Sequence, residues 1–300
     1  MTRLVSYAAE PGAPWRAGVM AGGVVVDAAR LGARVLGEAP DSVRALLALG
    51  PDAAAALGSA APDAAGAEIA GPRAVLRLGP PVPDPDKILC IGLNYAAHAE
   101  ETRLAAPPAP TVFAKFRNSL TGAGDPIVIP AASERVDYEG EVAVVIGRRC
   151  RNVDEDDAPA HVAGVMPLND VSARDLQMET SQWTVGKAID SFAPCGPELV
   201  LLDEVGDVQA LTLTTRLNGE VVQHASTAQM IFSVATIVAF LSRTMTLEPG
   251  DVIATGTPEG VGFTREPPLL LNPGDEVEVE IDGVGLLRNP VEAEVPAAVG

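Results

Sequence analysis

Two acidic residues stand directly before an apolar run in the stretch Asp137-Tyr138-Glu139-Gly140-Glu141-Val142-Ala143-Val144-Val145-Ile146. The apolar run, residues 142–146, is rich in β-branched side chains and predicts a buried strand. Side chains two residues apart on a strand point to the same face, so we expect the Glu139 and Glu141 carboxylates to lie side by side. Two negative charges at such a short distance repel each other unless a cation or a shared proton offsets them.

A third acid, Asp170, follows in the stretch Asn169-Asp170-Val171-Ser172-Ala173-Arg174-Asp175. Three carboxylates that converge without a histidine among them suit a hard divalent cation such as Mg²⁺ or Mn²⁺. A Glu-x-Glu pair by itself is common, and on most strands it lies on a solvated face. The metal interpretation therefore depends on the other motifs of the chain.

Composition and charge limit the classes of partner that the protein can bind. The chain has 300 residues, 47% of them hydrophobic, and a formal net charge of −19, which argues against a nucleic-acid or anionic-membrane partner. We recognise no membrane span, and the first residues lack the apolar core of a signal peptide. Cys90, Cys150 and Cys195 follow no disulfide or zinc spacing, and Cys90 is expected to be a buried free thiol. These features predict a cytoplasmic protein.

A proline-dense linker, residues 79–86, divides the chain into two predicted domains. Residues 1–80 predict a small N-terminal α/β domain of short strands and a helix that Asp41 or Ser42 caps. Residues 81–300 predict a catalytic domain that is mostly β with a few helices. The predicted fold class is therefore α+β, mostly β.

Several local patterns organise the second predicted domain. Asn218-Gly219 and Asp282-Gly283 are typical of type I′ hairpin turns. An amphipathic helix is predicted at about residues 228–243. Residues 102–110, which contain three prolines, are a candidate mobile lid.

His98 is one of three histidines and lies three residues before Glu101. On a helical turn the two side chains share a face, and a carboxylate fixes the tautomer of an imidazole and raises its basicity. A general base for water is built in this way. The alternative is an exposed pair on a helix surface.

Arg174 and Gln177 follow Asp170 at four and seven residues, so on a helix all three would share a face. An arginine there provides a bidentate clamp for a substrate carboxylate. The alternative is a helix salt bridge from Arg174 to Asp175 or Glu179.

Lys187 draws attention because lysines are rare in this chain. A lysine near a metal stabilises a developing enolate oxygen, or it simply neutralises surplus acid. The glycine-rich loop 255–262 lets backbone amides and the Thr257 hydroxyl approach a ligand, although a long turn explains the loop equally.

Five segments together resemble the fumarylacetoacetate hydrolase superfamily, and they occur in the family's order. They are Gly92-Leu93-Asn94-Tyr95-Ala96-Ala97-His98, Asp137-Tyr138-Glu139-Gly140-Glu141, Asn169-Asp170-Val171-Ser172-Ala173-Arg174-Asp175-Leu176-Gln177, Gly186-Lys187 and Thr255-Gly256-Thr257-Pro258. The resemblance covers about residues 87–296 and is to the bacterial acylpyruvate hydrolases and hydroxy-dienedioate isomerase-decarboxylases. It implies a mixed β-sandwich roll and a homodimer.

The resemblance also implies roles for individual residues. Glu139, Glu141 and Asp170 match the positions that hold Mg²⁺ or Mn²⁺, and His98 with Glu101 matches a catalytic dyad. Residues around the bound small-molecule substrate, a 2-oxo acid or diketone, are matched by Tyr95, Arg174, Gln177, Lys187 and Thr257.

The reaction that the resemblance implies is hydrolysis of a C–C bond in a 2,4-dioxo acid of the acylpyruvate or fumarylacetoacetate kind. The metal would chelate the substrate as a Lewis acid, His98 would deprotonate a water, and Lys187 with the metal would hold the leaving carbanion as an enolate. The same enolate stabilisation serves an oxaloacetate-type decarboxylase or a 2-hydroxyhepta-2,4-diene-1,7-dioate isomerase, so these alternatives stay open. A non-catalytic ligand-binding member is a further alternative, against which the intact set of acids, His98, Glu101 and Lys187 argues.

Overall fold

A computed structural model describes residues 1–10 and 12–295 of the chain. Within these residues the chain forms twenty strands: β1 Arg3–Ala8, β2 Arg16–Ala21, β3 Val24–Asp27, β4 Ile69–Pro72, β5 Arg77–Leu78, β6 Ile88–Gly92, β7 Thr111–Lys115, β8 Leu120–Thr121, β9 Ile127–Ile129, β10 Val136–Asp137, β11 Gly140–Ile146, β12 Val162–Asn169, β13 Ser172–Ala173, β14 Ala193–Pro194, β15 Leu199–Leu201, β16 Thr212–Leu217, β17 Glu220–Ser226, β18 Val252–Ala254, β19 Glu276–Ile281 and β20 Gly285–Ala293.

Helices are short and fewer than strands. The same residues form α1 Ala28–Val35, α2 Val43–Ala48, α3 Pro51–Ala60, α4 Ala96–Glu101, α5 Arg174–Gln177, α6 Thr184–Lys187, α7 Leu202–Val205 and α8 Val234–Ser242. Of the two predicted caps for α2, Ser42 is the one used, and its hydroxyl accepts from the Ala45 N–H at 3.1 Å. No helix in the described part of the chain is long and apolar enough to cross a membrane.

Helix α8 begins later than the sequence pattern predicted. The prediction of a helix from about residue 228 is wrong, because Thr227–Gln229 form a short 3₁₀ turn and hydrogen bonds with Asn94 hold the residues that follow outside the helix. The Asn94 carbonyl accepts from Ile231 N–H at 2.7 Å, and its side-chain oxygen accepts from Phe232 N–H at 2.8 Å. The helix therefore starts after Ser233, whose hydroxyl caps it by accepting from the Thr236 N–H.

One large mixed sheet carries most of the chain. Its strand order is β4-β3-β2-β1-β15-β12-β11-β18-β6-β7, and β5 adds to β1. Most neighbours are antiparallel, but β18 and β6 are parallel. Strand β11 lies between β12 and β18 and is buried along its whole length, as the apolar run predicted.

A second sheet of five strands, in the order β17-β16-β19-β20-β9, packs on one face of the large sheet. On that face Val142 and Val144 of β11 lie in a core with Val279 and with α8. On the opposite face Ala143 and Val145 lie in a core that α1, α2 and α3 cover. The predicted fold class, α+β and mostly β with a β-sandwich, is confirmed.

The N-terminal strands continue the large sheet. Arg3 and Leu4 of β1 pair with Val200 and Leu199 of β15, so the sheet runs without a break across the predicted boundary at residue 80. Whether residues 1–80 and 81–300 are two domains stays a prediction.

The two predicted type I′ turns differ. Asn218 and Gly219 have φ values of 53° and 82°, and they join β16 to β17 as the sequence predicted. The prediction for Asp282-Gly283 is wrong, because Ile281 pairs with Gly285 and the loop therefore has three residues. Among these loop residues only Gly283 has a positive φ.

Candidate active site

The three acids of the predicted metal site meet at the end of the β11–β12 pair. The Asp170 N–H donates to the Glu139 carbonyl at 2.8 Å, which places these two residues opposite each other. Glu139 and Glu141 share the strand parity of Ala143 and Val145, so their side chains point to the same face of the sheet. Each of the three carboxylates brings one oxygen within 4.8 Å of the others.

The secondary structure that follows Asp170 differs from the prediction. The prediction that Asp170, Arg174 and Gln177 share one helix is wrong, because the short strand β13 lies between Asp170 and α5. Strand β13 pairs with β10, and this pairing turns the chain back toward β11. The side chains nevertheless converge, because Arg174 donates to both Glu139 and Gln177, and Lys187 joins Glu139 to Asp170.

Burial and charge set the electrostatics of the acids. Burial raises the pKa of Glu139, but Lys187 and Arg174 outweigh this effect and hold that pKa well below its usual value. Burial also raises the pKa of Glu141, and repulsion from Asp170 and Glu139 adds to the rise. Glu141 is thus the acid whose negative charge the protein compensates least.

Two buried lysines hold Asp170 from opposite sides. Lys187 Nζ donates to Asp170 Oδ2 at 2.7 Å and to Glu139 Oε2 at 2.8 Å. Lys115 Nζ forms an ion pair with Asp170 Oδ1 at 2.7 Å, and it donates to the carbonyls of Val171, Lys187 and Phe192. The sequence reasoning assigned no role to Lys115. The rarity of lysine was the available signal, because Lys115 and Lys187 are two of only three in the chain.

Arg174 is held by acids that lie far from it in sequence. Its Nε and Nη2 donate to Asp137 Oδ2 at 3.0 and 2.8 Å, and its Nη1 donates to Glu139 Oε1 at 2.5 Å and to Gln177 Oε1 at 3.1 Å. The alternative of a helix salt bridge to Asp175 or Glu179 is therefore wrong. A guanidinium has five N–H donors, so one remains for a substrate. Asp137, which anchors Arg174, was another residue that the sequence reasoning missed.

His98 and Glu101 form the contact that their spacing predicted. Both lie on α4, and His98 Nδ1 is 2.8 Å from Glu101 Oε1. Glu101 is held in turn, because its Oε2 accepts from the Gly260 N–H at 3.0 Å. A carboxylate at Nδ1 keeps the proton on that nitrogen and leaves Nε2 as the acceptor. His98 lines the same cavity as the three acids.

The glycine-rich loop supports Glu141. Gly256 has a φ of 108°, and its N–H donates to Glu141 Oε2 at 2.7 Å. A Cβ at this position would lie 2.7 Å from Asn94 Cβ, so the loop requires glycine here. The Thr257 hydroxyl donates to the Gly140 carbonyl at 2.9 Å and accepts from Gln223 Nε2 at 2.8 Å. Gln223 was not predicted, and Thr257 has no hydroxyl proton left for a substrate.

The two remaining predicted substrate residues, Gln177 and Tyr95, border different cavities. Gln177 lines the cavity, and within the described residues its amide nitrogen has no hydrogen-bond partner, so it can donate to a ligand. Tyr95 does not line this cavity but borders a separate pocket with Glu100 and Glu259. Burial raises the pKa of the Tyr95 phenol well above its usual value, so the hydroxyl keeps its proton.

The cavity that the site residues line has a volume of about 260 Å³. At about 30 Å³ per water, this volume corresponds to roughly nine waters. Polar and charged side chains line one part of it: His98, Thr102, Glu139, Glu141, Asp170, Arg174, Gln177, Lys187 and Thr257. The rest is apolar: Ile91, Gly92, Leu93, Leu104, Phe113, Met178, Trp183 and Phe263.

The chemistry of the acids fits a divalent metal ion. Glu139, Glu141 and Asp170 offer three carboxylate oxygens within 4.8 Å of one another, and oxygen ligands are those that Mg²⁺ and Mn²⁺ prefer. Glu141 Oε1 accepts no hydrogen bond within the described residues, although the carboxyl is buried. A cation at this position would relieve the repulsion that raises the pKa of Glu141.

Comparisons with known proteins identify the family of the chain. The family described as fumarylacetoacetate (FAA) hydrolase, C-terminal, matches residues 87–292. The human mitochondrial oxaloacetate tautomerase FAHD2A is 46% identical over 222 residues, which are 73% of this chain and 71% of the relative.

Solved structures match over nearly the whole chain. The 2-hydroxyhepta-2,4-diene-1,7-dioate isomerase from Mycobacterium marinum is 32% identical with a TM-score of 0.74, over 98% of this chain and 99% of the other. The maleylpyruvate hydrolase from Sphingobium sp. SYK-6, in complex with manganese(II) and pyruvate, is 31% identical with a TM-score of 0.78, over 98% of this chain and 100% of the other. The resemblance seen in the sequence is confirmed, and the chain is an enzyme of the fumarylacetoacetate hydrolase family.

Proposed function

We propose that the protein is a divalent-metal-dependent hydrolase that cleaves a C–C bond in a 2,4-dioxo acid. The observation that carries this proposal is that the three acids and His98, whose Nδ1 contacts Glu101, line one cavity. Glu139, Glu141 and Asp170 would hold the metal ion. When bound, the ion supplies Lewis-acid polarisation of the oxygens of a 2-oxo acid.

His98 supplies what hydrolysis needs beyond enolate chemistry. With Nδ1 engaged by Glu101, its Nε2 takes a proton from a water, and the water oxygen attacks the distal carbonyl of the substrate. The bond between that carbonyl carbon and the neighbouring CH₂ then breaks. The bonding electrons stay with the 2-oxo acid as an enolate, which accepts at carbon the proton that His98 Nε2 took from the water and so gives the second product. Lys187 has one N–H not engaged by the acids and can donate it to the enolate oxygen.

A second candidate function is tautomerisation or decarboxylation of oxaloacetate. The identity to the human oxaloacetate tautomerase supports it. The dienedioate isomerase of Mycobacterium marinum supports isomerisation in the same way. These reactions stabilise an enolate but need no attacking water, so they use Lys187 and the acids without water activation by His98.

Turnover of acetylpyruvate and oxaloacetate, measured side by side with Mg²⁺, with Mn²⁺ and with EDTA, tests the proposal. We expect metal-dependent loss of acetylpyruvate with formation of acetate and pyruvate. Metal-dependent conversion of oxaloacetate without hydrolysis of acetylpyruvate would move the assignment to the second candidate. Full activity of dialysed protein in EDTA would contradict the metal site itself. The ratio of the Mg²⁺ and Mn²⁺ rates identifies the more effective ion.

The proposal includes a homodimer in the cytoplasm. Strand β7 is the last strand of the large sheet, and Val112 and Phe116 at this edge are 37% and 54% exposed. An apolar sheet edge of this kind suits contact with a second copy of the chain. Light scattering after gel filtration measures the mass, and Phe116→Asp should shift it toward the monomer. For the compartment, the three buried free thiols are typical of a reducing environment.

A further inference from the structure

Resting on the function proposed above, we infer that the substrate is a 2-oxo acid with a single carboxylate and an uncharged, apolar acyl group at its other end. Two observations carry this inference: the apolar side of the cavity, and the lack of a cation on that side among the residues that line the cavity.

The apolar side of the cavity continues outward from the acids. The Phe113 ring lies 5.0 Å from Lys187 Nζ, and Trp183 packs edge-on against Phe113 with ring centroids 5.3 Å apart. Met178 and Leu104, which are 56% and 46% exposed, line the cavity at its outer part. We call Phe113, Trp183, Met178 and Leu104 the distal wall. Such a wall gains free energy by covering an alkyl or aryl group.

No cation of the described residues is available on the distal wall for a second carboxylate. The two cations that line the cavity, Arg174 and Lys187, are held by the buried acids, and the one N–H that each has left serves the 2-oxo acid end of the substrate beside those acids. A carboxylate placed against the distal wall would lose its hydrogen bonds to water and gain no cation in return, which costs binding free energy. Oxaloacetate is itself a dicarboxylate, so the same argument ranks it below an acylpyruvate as a substrate.

A matched pair of substrates tests the inference. In 2,4-dioxononanoate and 2,4-dioxononanedioate the chain length is the same, and only the terminal methyl or carboxylate differs. We expect kcat/KM with Mn²⁺ to be at least about tenfold higher for the monocarboxylate, a difference of about 1.4 kcal/mol. Equal values, or a preference for the dicarboxylate, would overturn the inference while the proposed hydrolase function stands.

A binding measurement separates the inference from the proposed function. The chain has two tryptophans, so Trp15→Phe leaves Trp183 on the distal wall as the only reporter of fluorescence. Titration with 2-oxononanoate and with 2-oxononanedioate, which lack the carbonyl that water attacks, gives two Kd values in the presence of Mn²⁺. We expect a Kd at least about tenfold lower for the monocarboxylate. If neither dioxo acid is hydrolysed, the proposed function fails and the ratio of these Kd values alone decides the inference.

A positive charge added to the distal wall gives a third measurement. Met178→Lys adds a cation where the wall has none, and it should raise the relative kcat/KM for the dicarboxylate by about tenfold. Val185→Lys is the control, because Val185 is 63% exposed on α6 and does not line the cavity. An equal change in both variants would show that general charge, and not the distal wall, sets the preference.

Discussion

The two glutamates of the site, two residues apart, should respond in opposite directions to the same substitution. In the metal-free protein, Glu141→Gln should raise the free energy of unfolding and Glu139→Gln should lower it. Glu139 is paired with Arg174 and Lys187, whereas Glu141 accepts one backbone hydrogen bond and faces two like charges. Both variants should lose the metal, because each lacks one of the three carboxylates.

The magnitudes follow from the charges. Two negative charges at the outer limit of 4.8 Å repel by about 3.5 kcal/mol at an effective dielectric constant of ~20. Uptake of a proton by Glu141 and the cations around its neighbours reduce this cost, so we expect Glu141→Gln to stabilise by about 2 kcal/mol, or a Tm rise of about 4 °C. The glutamine still accepts from the Gly256 N–H. Glu139→Gln leaves two buried cations short of a partner and should destabilise by about 3–5 kcal/mol.

Urea unfolding in EDTA across a pH series is the assay. The raised pKa of folded Glu141 means that the folded state keeps a proton that the unfolded state releases above about pH 4.3. Ionisation of Glu141 therefore costs the wild type stability as pH rises from about 4.3 toward the raised pKa of the folded protein. The stability advantage of Glu141→Gln over the wild type should accordingly be small near pH 4.5 and grow toward pH 8. Added Mn²⁺ should stabilise the wild type and neither variant. Destabilisation by Glu141→Gln at pH 8 would refute this account of the site.

Three other substitutions test separate parts of the site. His98→Ala should lower hydrolysis of acetylpyruvate by about 10²–10⁴-fold and spare any metal-dependent decarboxylation of oxaloacetate, and equal loss of both rates would argue against water activation by His98. Lys115→Met should destabilise by about 3–5 kcal/mol and weaken Mn²⁺ binding in calorimetry, because Asp170 loses one of its two ion pairs; unchanged Mn²⁺ affinity would contradict that role. Gly256→Ala should lower the free energy of unfolding in urea by about 2 kcal/mol or more and should also weaken Mn²⁺ binding, because the positive φ and the nearby Asn94 exclude a side chain. A variant as stable as the wild type would show that the loop adapts.

Local periodicity made a large part of the site predictable. The period of two along a strand places Glu139 and Glu141 on one face, and the period of a helical turn brings His98 to Glu101. The Asn-Gly pair at 218–219 likewise determined its turn, since both residues have a positive φ there. Each of these features depends on residues that are close in sequence.

Contacts between distant segments could not be read in the same way. Arg174 is paired with Asp137, 37 residues earlier, and not with the acids of its own helix. The start of α8 depends on Asn94, which lies 138 residues before Phe232. The Gln223 amide that donates to the Thr257 hydroxyl and the carbonyls that accept from Lys115 come from strands and loops whose proximity only the sheet order creates. Spacing along the chain carries no information about such partners.

The pairing of β1 with β15 has a consequence for how the chain can be shortened. The family match begins at residue 87, which invites expression of that part alone. Removing residues 1–86 would remove β1, one of the two strands that pair with β15, and would expose the apolar surface that Leu4 and Leu57 now cover. A bare strand edge beside exposed core is a template for self-association. The first 86 residues therefore act as the protein's own safeguard against aggregation, whatever they contribute to catalysis.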